Sequence, residues 1–388
     1  MLTAVDQSEA HAAIRSDLGV IFVSLELSKS SWLVTSLAPA SSKMSRHSVP
    51  GGEIAGLLAV LAELRKKAGS RLGQPHRLVI IQEAGLDGFW IHRVLNREDW
   101  IESHVVDAAS IAVSRRHRRA KTDRIDGEAL VRTLMAYHRG EPRVCSMVRV
   151  PTPEDEDRRR ICRERKALVA ERVRHVNRIK GLLLSQGIRN YEPMHRNRRE
   201  RMEELTTGDG RRLSGNIKAQ ICRELDRLEL LLEQIRAVEI ERDRLVASSA
   251  NDQPSSLAML TSIKGIGPEF AVILDSEGLF RHFDNRRQVA AYAGLAPSPW
   301  QSGTIDREQG VSKAGNPRLR TTMVQLGWLW LRHQPTSALT CWFNERVANN
   351  GGRLKRATIV ALARKLLVAL WKYVTAGVVI EGAIMKAT

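Results

Sequence analysis

Residues 19–27 read GVIFVSLEL and residues 31–37 read SWLVTSL, two runs of strand length separated only by Ser28, Lys29 and Ser30. Such a pair predicts a β-hairpin. Residues 43–49 supply a third strand, and residues 53–67 carry apolar positions at helical spacing. RLVIIQ at 77–82 is a buried-strand run that ends at Glu83 and is followed by Ala84-Gly85, a helix at 87–95 and a short strand at 103–107. On the first strand Glu26 shares a face with Phe22 and Ser24 and is flanked by Leu25 and Leu27. A carboxylate there is costly to bury unless it is paired or ligates a metal; otherwise it is a strand-end charge reaching water.

After the last of these strands comes Ser114-Arg-Arg-His-Arg-Arg-Ala-Lys121-Thr-Asp123-Arg-Ile-Asp126, a dense basic run set against two carboxylates. Thr122 is placed to cap a helix whose first turn carries Asp123 and Asp126 on one face. The two acids either complement the helix dipole or share a metal ion, with Arg115, Arg116, Arg118, Arg119 and Lys121 holding a phosphate backbone beside it. The basic run belongs to a wider excess: the chain of 388 residues has a formal net charge of +18 and a pI near 10.3. That balance points to a polyanionic partner, nucleic acid ahead of a membrane surface. The longest apolar stretch, 357–380, is broken by Arg364, Lys365 and Lys372 and reads as an ordinary helix. Residues 1–17 are polar and lack the pattern of a signal peptide, so a cytoplasmic protein that makes no use of a membrane is expected. Cys145, Cys162, Cys222 and Cys341 have no paired spacing and are expected to be buried thiols.

The order strand hairpin, third strand, helix, strand, helix, strand, helix is the layout of an RNase H-like fold. In that layout Glu26, Glu83, Asp123 and Asp126 resemble the four metal ligands of a RuvC-type DEDD nuclease. Position 26 departs from that motif, which normally has Asp; the extra methylene moves the oxygen by about one carbon–carbon bond, ~1.5 Å.

From Pro153 the composition turns rich in Arg and Glu. Val169, Val173, Val176, Ile179 and Leu183, then Ile221, Leu225, Leu228, Leu232 and Ile235, form stripes that suggest two antiparallel helices of a coiled coil. The polar stretch 187–215 is the expected turn between them. Arg158, Arg159, Arg160, Arg163, Arg165, Arg172 and Arg174 line the first helix, either as a solvated face or as a nucleic-acid track.

In the last third, Lys264-Gly265-Ile-Gly267-Pro268 ahead of an apolar helix resembles a helix-hairpin-helix element, whose backbone N–H groups can approach a phosphate; a tight helix connection is the alternative. Ser302-Gly303 lies in a proline-bearing loop, with Lys313, Asn316, Arg318 and Arg320 close behind. Such a serine is a turn residue or a nucleophile with cations beside it. Residues 356–373 form an apolar helix that closes this domain.

Taken together, KTDRID, GIGPEFA, AAYAGLAPSPWQSG and SKAGNPRLR resemble the transposases of the insertion-sequence one-hundred-and-ten family, bridge-RNA-guided DNA recombinases with Piv-type invertases as relatives. The resemblance spans nearly the whole chain. It implies a multi-domain α/β plus α protein: a RuvC-like DEDD domain at 1–150, a coiled-coil oligomerisation region at 151–254, and a mostly helical C-terminal transposase domain at 255–388. It also implies magnesium (Mg2+) held by Glu26, Glu83, Asp123 and Asp126, with Ser302 as the nucleophile. The implied partners are donor and target DNA, a non-coding bridge RNA and further copies of the chain, as a dimer or tetramer. Two other functions fit the same residues: a RuvC-like nuclease in which water attacks, and a nucleic-acid-binding protein without catalysis.

Overall fold

The computed structural model describes residues 19–85, 88–111, 123–141, 144–248, 255–302, 305–349 and 351–386. The chain divides into two compact units, 1–150 and 151–388.

The first unit is built on a five-stranded mixed sheet in the order β3-β2-β1-β4-β5. Its strands are β1 (Ile21–Leu27), β2 (Ser31–Leu37), β3 (Ser45–Pro50), β4 (Leu78–Glu83) and β5 (Ile101–Val106). The β1–β2 hairpin is antiparallel with Ser24 opposite Thr35, and β3 adds antiparallel to β2. β4 and β5 add parallel on the other side of β1. Because side chains alternate along a strand, β1 serves two cores at once. Ile21, Val23 and Leu25 join Leu57 and Leu61 of α1 (Ile54–Leu72) and Ile91 and Leu95 of α2 (Trp90–Leu95). Phe22, with Val79 and Ile81 of β4, packs on Leu130, Val131 and Leu134 of α3 (Asp123–His138). Each fully buried aliphatic side chain in these layers contributes about 1.5–3 kcal/mol.

Helix α1 runs further than its expected end at 67, because Ala68 is buried on the same stripe. Gly73, left-handed at φ 76°, ends it by donating to the Gly69 carbonyl. Strand β5 begins at Ile101, two residues earlier than expected, since Ile101 pairs with Leu78.

In the second unit, α4 (Pro153–Leu184) and α6 (Gly215–Ser248) lie side by side in opposite directions: Arg165 meets Glu239, and Arg178 meets Glu224. Thr152 and Asp155 form a capping box ahead of Pro153, which fixes where α4 begins. The buried line contains Ile179, Leu183, Ile221, Leu225 and Leu228. Val173 departs from the expected stripe and faces outward, because the helix's 3.6-residue turn carries it off the seam. Residues 187–215 are more than a turn. They contain α5 (Arg198–Glu203), and Tyr191 and Met202 are buried against the end of the α4–α6 pair.

The remainder of this unit is α7 (Ser256–Ser262), α8 (Pro268–Leu274), a π-helical turn at Asp275–Leu279, α9 (Arg286–Tyr292), the hairpin β6 (Pro297–Ser302) and β7 (Ile305–Val311), then α10 (Pro317–His333), α11 (Ala338–Ala348) and α12 (Lys355–Ala376). Leu319, Met323, Leu326 and Trp330 of α10 interleave with Ala363, Leu366, Leu367 and Leu370 of α12 to make its core. Among the described residues no helix is long and apolar enough to cross a membrane. Of the four cysteines only Cys162 is buried, where loss of hydration pushes its thiol up to about 12; Cys145 and Cys222 are partly exposed. Cys341 is exposed, correcting the expectation of four buried thiols: it sits on the outer face of α11, opposite the buried Thr340 and Phe343.

Candidate active site

In the first unit the candidate ligands gather at the C-terminal ends of two parallel strands. Glu26 follows Phe22 and Ser24 on one face of β1, and Glu83 follows Val79 and Ile81 on the same face of β4. Both carboxylates line a cavity of ≈ 370 Å³, with Ser28, Lys29 and Gly85 at its edge. Helix α3 covers this face, and Gly127 sets how closely. The Ser24 hydroxyl donates to the Gly127 carbonyl at 2.8 Å, and a Cβ on Gly127 would stand 2.7 Å from Thr35 Oγ1. Real Cβ atoms do not tolerate that approach, so a glycine is required for the helix to lie on Ser24 and Thr35. Asp126 immediately precedes it in the first turns of α3, and Asp123 opens that helix; the Asp123 side chain lies outside the described residues. So do the expected cap Thr122 and the basic residues Arg115, Arg116, Arg118, Arg119 and Lys121.

Among the described residues no three acidic, histidine or cysteine side chains are close enough to form a metal cage. A hard dication that keeps most of its water nevertheless fits the donors present. Magnesium is commonly held by one or two carboxylates together with substrate phosphates, and Glu26 and Glu83 supply two carboxylates in one cavity.

In the second unit Ser302 ends strand β6, where its backbone pairs with Ile305; residues 303 and 304 lie outside the described residues, as does the Ser302 side chain. The expected loop is therefore a strand. Its two prolines are tolerated because the hairpin is a separate two-stranded sheet whose register shifts between Pro297 and Pro299. The base of this hairpin is locked by two glycines in left-handed conformation, Gly294 (φ 64°) and Gly315 (φ 101°). A Cβ on Gly294 would strike the Ala314 carbonyl, and one on Gly315 would strike that of Tyr292. Only bare backbone permits both approaches.

Asn316 continues the lock. Its N–H donates to the Tyr292 carbonyl at 2.7 Å, and its side-chain oxygen caps α10 by accepting from Arg318 and Leu319. Its amide nitrogen donates to Glu277 Oε2 at 3.0 Å. Glu277 is 3% exposed and sits in the π-helical turn, where Arg163 of α4 grips it with two bonds at 2.9 and 3.1 Å. Burial pushes this carboxyl up, but Arg163 and Asn316 outweigh it and hold the group below its ordinary range. Neighbouring Arg159 donates to the Ser276 carbonyl at 2.9 Å and lies 4.2 Å over the Phe280 ring; burial lowers its pKa. Of these residues Glu277 carries no signal in the sequence that marks it as part of a site. The asparagine before Pro317 is a helix-start signal, but nothing in the chain links it to Glu277.

The remaining candidates are placed as follows. Lys264 is exposed in the α7–α8 connection, its N–H donates to the Ile384 carbonyl, and its own carbonyl accepts from Gln334. Gly265 is left-handed at φ 91° and lies against His333, which a Cβ would meet at 2.7 Å. Gly267 immediately precedes α8. Lys313 is exposed at φ 57°, and its carbonyl accepts from Arg320 at 2.8 Å. Arg318 lines a cavity between α4 and α10.

Residues 257–341 match the model of a family described as Transposase IS116/IS110/IS902 family. Across its full length the chain is also 67% identical over 395 residues to a Sinorhizobium fredii protein named "Putative transposase y4rJ", covering 100% of both chains. The chain belongs to the IS116/IS110/IS902 transposase family. More distant similarity extends to the transposase for insertion sequence element IS1111A of Coxiella burnetii, 29% identical over 66% of this chain and 67% of that one. The transposase for insertion sequence element IS1328 of Yersinia enterocolitica is 27% identical over 59% of this chain and 66% of its own. The family match covers the transposase's hairpin, its glycine lock, Glu277 and Asn316.

Proposed function

We propose that this transposase cuts and rejoins DNA through a covalent link to Ser302, with magnesium bound by Glu26, Glu83, Asp123 and Asp126. The first unit is read as a RuvC-type, RNase H-like domain. The observation that carries this reading is the placing of Glu26 and Glu83 in one cavity at the ends of adjacent parallel strands, on the face that α3 covers with Asp126 in its first turns. The strand order, with β2 antiparallel beside a parallel β1-β4-β5 set, supports it.

A serine hydroxyl is a weak nucleophile at neutral pH and needs activation. When bound, magnesium supplies polarisation of the scissile phosphate and charge stabilisation. The chain's own groups do the rest. In the step itself a bond forms between Ser302 Oγ and phosphorus, and the phosphorus–oxygen bond to one DNA strand breaks. The serine proton passes to solvent, and the departing strand oxygen takes one up. The phosphoserine diester keeps the bond energy for rejoining. Lys313 and Arg318, which follow the base of the hairpin whose tip carries Ser302, are assigned as cations for the phosphate.

A bridge RNA as guide, and oligomers formed through the long α4–α6 pair as a coiled coil, complete the reading taken from the family resemblance. Leu225 and Leu228 are fully buried within one chain, so an oligomer joint must use other residues. Asp126→Asn tests the carboxylate site, since it removes charge and keeps shape. The variant is expected to fold and to bind DNA but to lose magnesium-dependent cleavage by at least about 100-fold, ~2.7 kcal/mol of barrier. Cleavage at the original rate would remove Asp126 from the metal site.

A further inference from the structure

The second unit handles its positive charges in two ways. On the paired long helices many are neutralised: Arg165 binds Glu239 and Glu269, Arg178 and Arg227 bind Glu224, and Arg242 binds Glu269. Along α10 they are not. The outward stripe of α10 is Arg318, Thr321, Gln325, Trp328 and Arg332, at alternating spacings of three and four that place them in one line about 21 Å long.

At the first end of that line a cavity of ≈ 220 Å³ lies between α4 and α10, lined by Lys166, Arg318, Thr321 and Gln325, and also by Glu269 and Glu277, whose charges are met by Arg165 and Arg242 and by Arg163. Arg163 is occupied by Glu277. Lys166 and Arg318 have no carboxylate within ion-pair distance among the described residues, and neither do Arg332 and Lys355 at the other end. One turn before Arg332 stands Trp328, 41% exposed, with Phe343 against its edge at 6.4 Å and Lys355 Nζ 5.7 Å from its ring centroid. An exposed indole with Lys355 beside its ring and Arg332 one turn away is poorly explained by core packing.

We propose that the outer face of α10 holds an unpaired DNA strand. Phosphates lie against Lys166 and Arg318 at one end and against Arg332 and Lys355 at the other, and a base stacks on Trp328 between them. Phosphate charge complements these four cations, which have no carboxylate partner among the described residues, and a π-face flanked by cations is the element by which single strands are bound without regard to sequence. A duplex hides its base faces and offers the indole nothing to stack on. DNA is the strand in question because a cut strand has to leave its complement before it is joined elsewhere; to that extent the assignment rests on the strand-joining reading above.

The test is equilibrium binding of the full-length protein in EDTA, where cleavage does not intervene, to a labelled single-stranded oligodeoxynucleotide, its duplex and the RNA of the same sequence. Trp328→Ala is expected to weaken single-stranded DNA binding by roughly 5- to 150-fold, the range for loss of one stacked base at about 1–3 kcal/mol. Duplex binding should change less than about twofold, and Trp328→Phe should restore most of the loss. Independently, the exposed pair Lys166→Gln with Arg332→Gln should lower the salt slope for the single strand by about 1.4, from ~0.7 per phosphate contact. Unchanged single-strand affinity and salt slope, an equal loss on the duplex, or a loss confined to RNA would each overturn the proposal. Ser302→Ala is expected to bind the single strand as the parent does, so failure of the serine mechanism and failure of the α10 site are read separately.

Discussion

Glu277 has no role in any hydrolytic or strand-transfer chemistry read from the sequence, yet it ties Asn316, just after the β6–β7 hairpin, to Arg163 of α4. Its carboxylate joins α4, the π-helical turn and the start of α10 through Arg163 and Asn316. Breaking a buried ion pair by removing one charge costs about 3–5 kcal/mol, so Glu277→Gln should lower the unfolding midpoint of the second unit at neutral pH by several degrees. The sign of the pH dependence follows from the direction of the shift. The folded carboxyl lies below its ordinary value of 4.5, so its contribution is fully present above that value and is lost as pH falls through the folded pKa. Thermal melts from neutral pH down to acid should therefore converge for parent and variant below the ordinary carboxylate range. A constant difference at every pH would show that the charge of Glu277 is not what stabilises the turn. Gly127 is the corresponding residue in the first unit, because the approach of α3 to Ser24 and Thr35 depends on its bare Cα.

Among the elements, the long helix pair is where sequence and structure diverge most usefully. The stripes of Leu, Ile and Val made both helices legible, with Thr152 and Pro153 marking a start. They did not distinguish a joint between chains from the seam of an intramolecular hairpin, since both require the same three-four spacing. Leu225 and Leu228 belong to the seam. Leu230 and Ile240 are each 54% exposed on the outside of α6 and are available for a joint. Replacing both by Glu should reduce the mass measured by light scattering while leaving the helix content unchanged; an unchanged mass would locate the joint elsewhere. The five strands are legible within about two residues at their ends, because runs of alternating or continuous apolar character between Gly and Ser turns mark them; their pairing register comes from the folded sheet. The β6–β7 hairpin was not, because Pro297 and Pro299 argue against a strand unless its edges are free, and edge freedom is a property of the folded chain.

For the whole molecule the excess of 61 basic over 43 acidic residues sets the affinity for nucleic acid. Much of the excess on α4 is offset by Glu and Asp of the same unit. Arg165 is accordingly tied into the fold, whereas Arg158, Arg160 and Arg174 keep exposed side chains on the outer face of α4. The basic run at 115–121 has no such acidic partners in its own sequence until Asp123. Replacing Arg115, Arg116, Arg118 and Arg119 with Ala should flatten the salt dependence of DNA binding by up to about 3.6, from ~0.9 per phosphate contact on duplex. An unaltered slope would mean that the run does not touch the backbone. The candidate site itself was legible as residue types in order, four carboxylates and a serine. What the sequence withheld was support: Gly127 beneath Asp126, the two-glycine lock beneath Ser302, and Glu277 joining Asn316 to Arg163. Those depend on contacts between residues up to 114 apart in the chain, from Arg163 to Glu277, for which local patterns carry no signal.

Attack of Ser302 on DNA would leave a covalent protein–DNA adduct, formed with magnesium and the DNA flanking the transposase's own gene and resolved by denaturing gel. Ser298 and Ser312, nearby hydroxyls with no assigned role, are the controls and should form adduct when replaced by Ala. Ser302→Ala should bind DNA and keep its oligomeric state, yet form neither adduct nor joined product. A Ser302→Ala protein that still cleaves and rejoins DNA would contradict the serine mechanism and leave attack by water at the carboxylate site as the reaction.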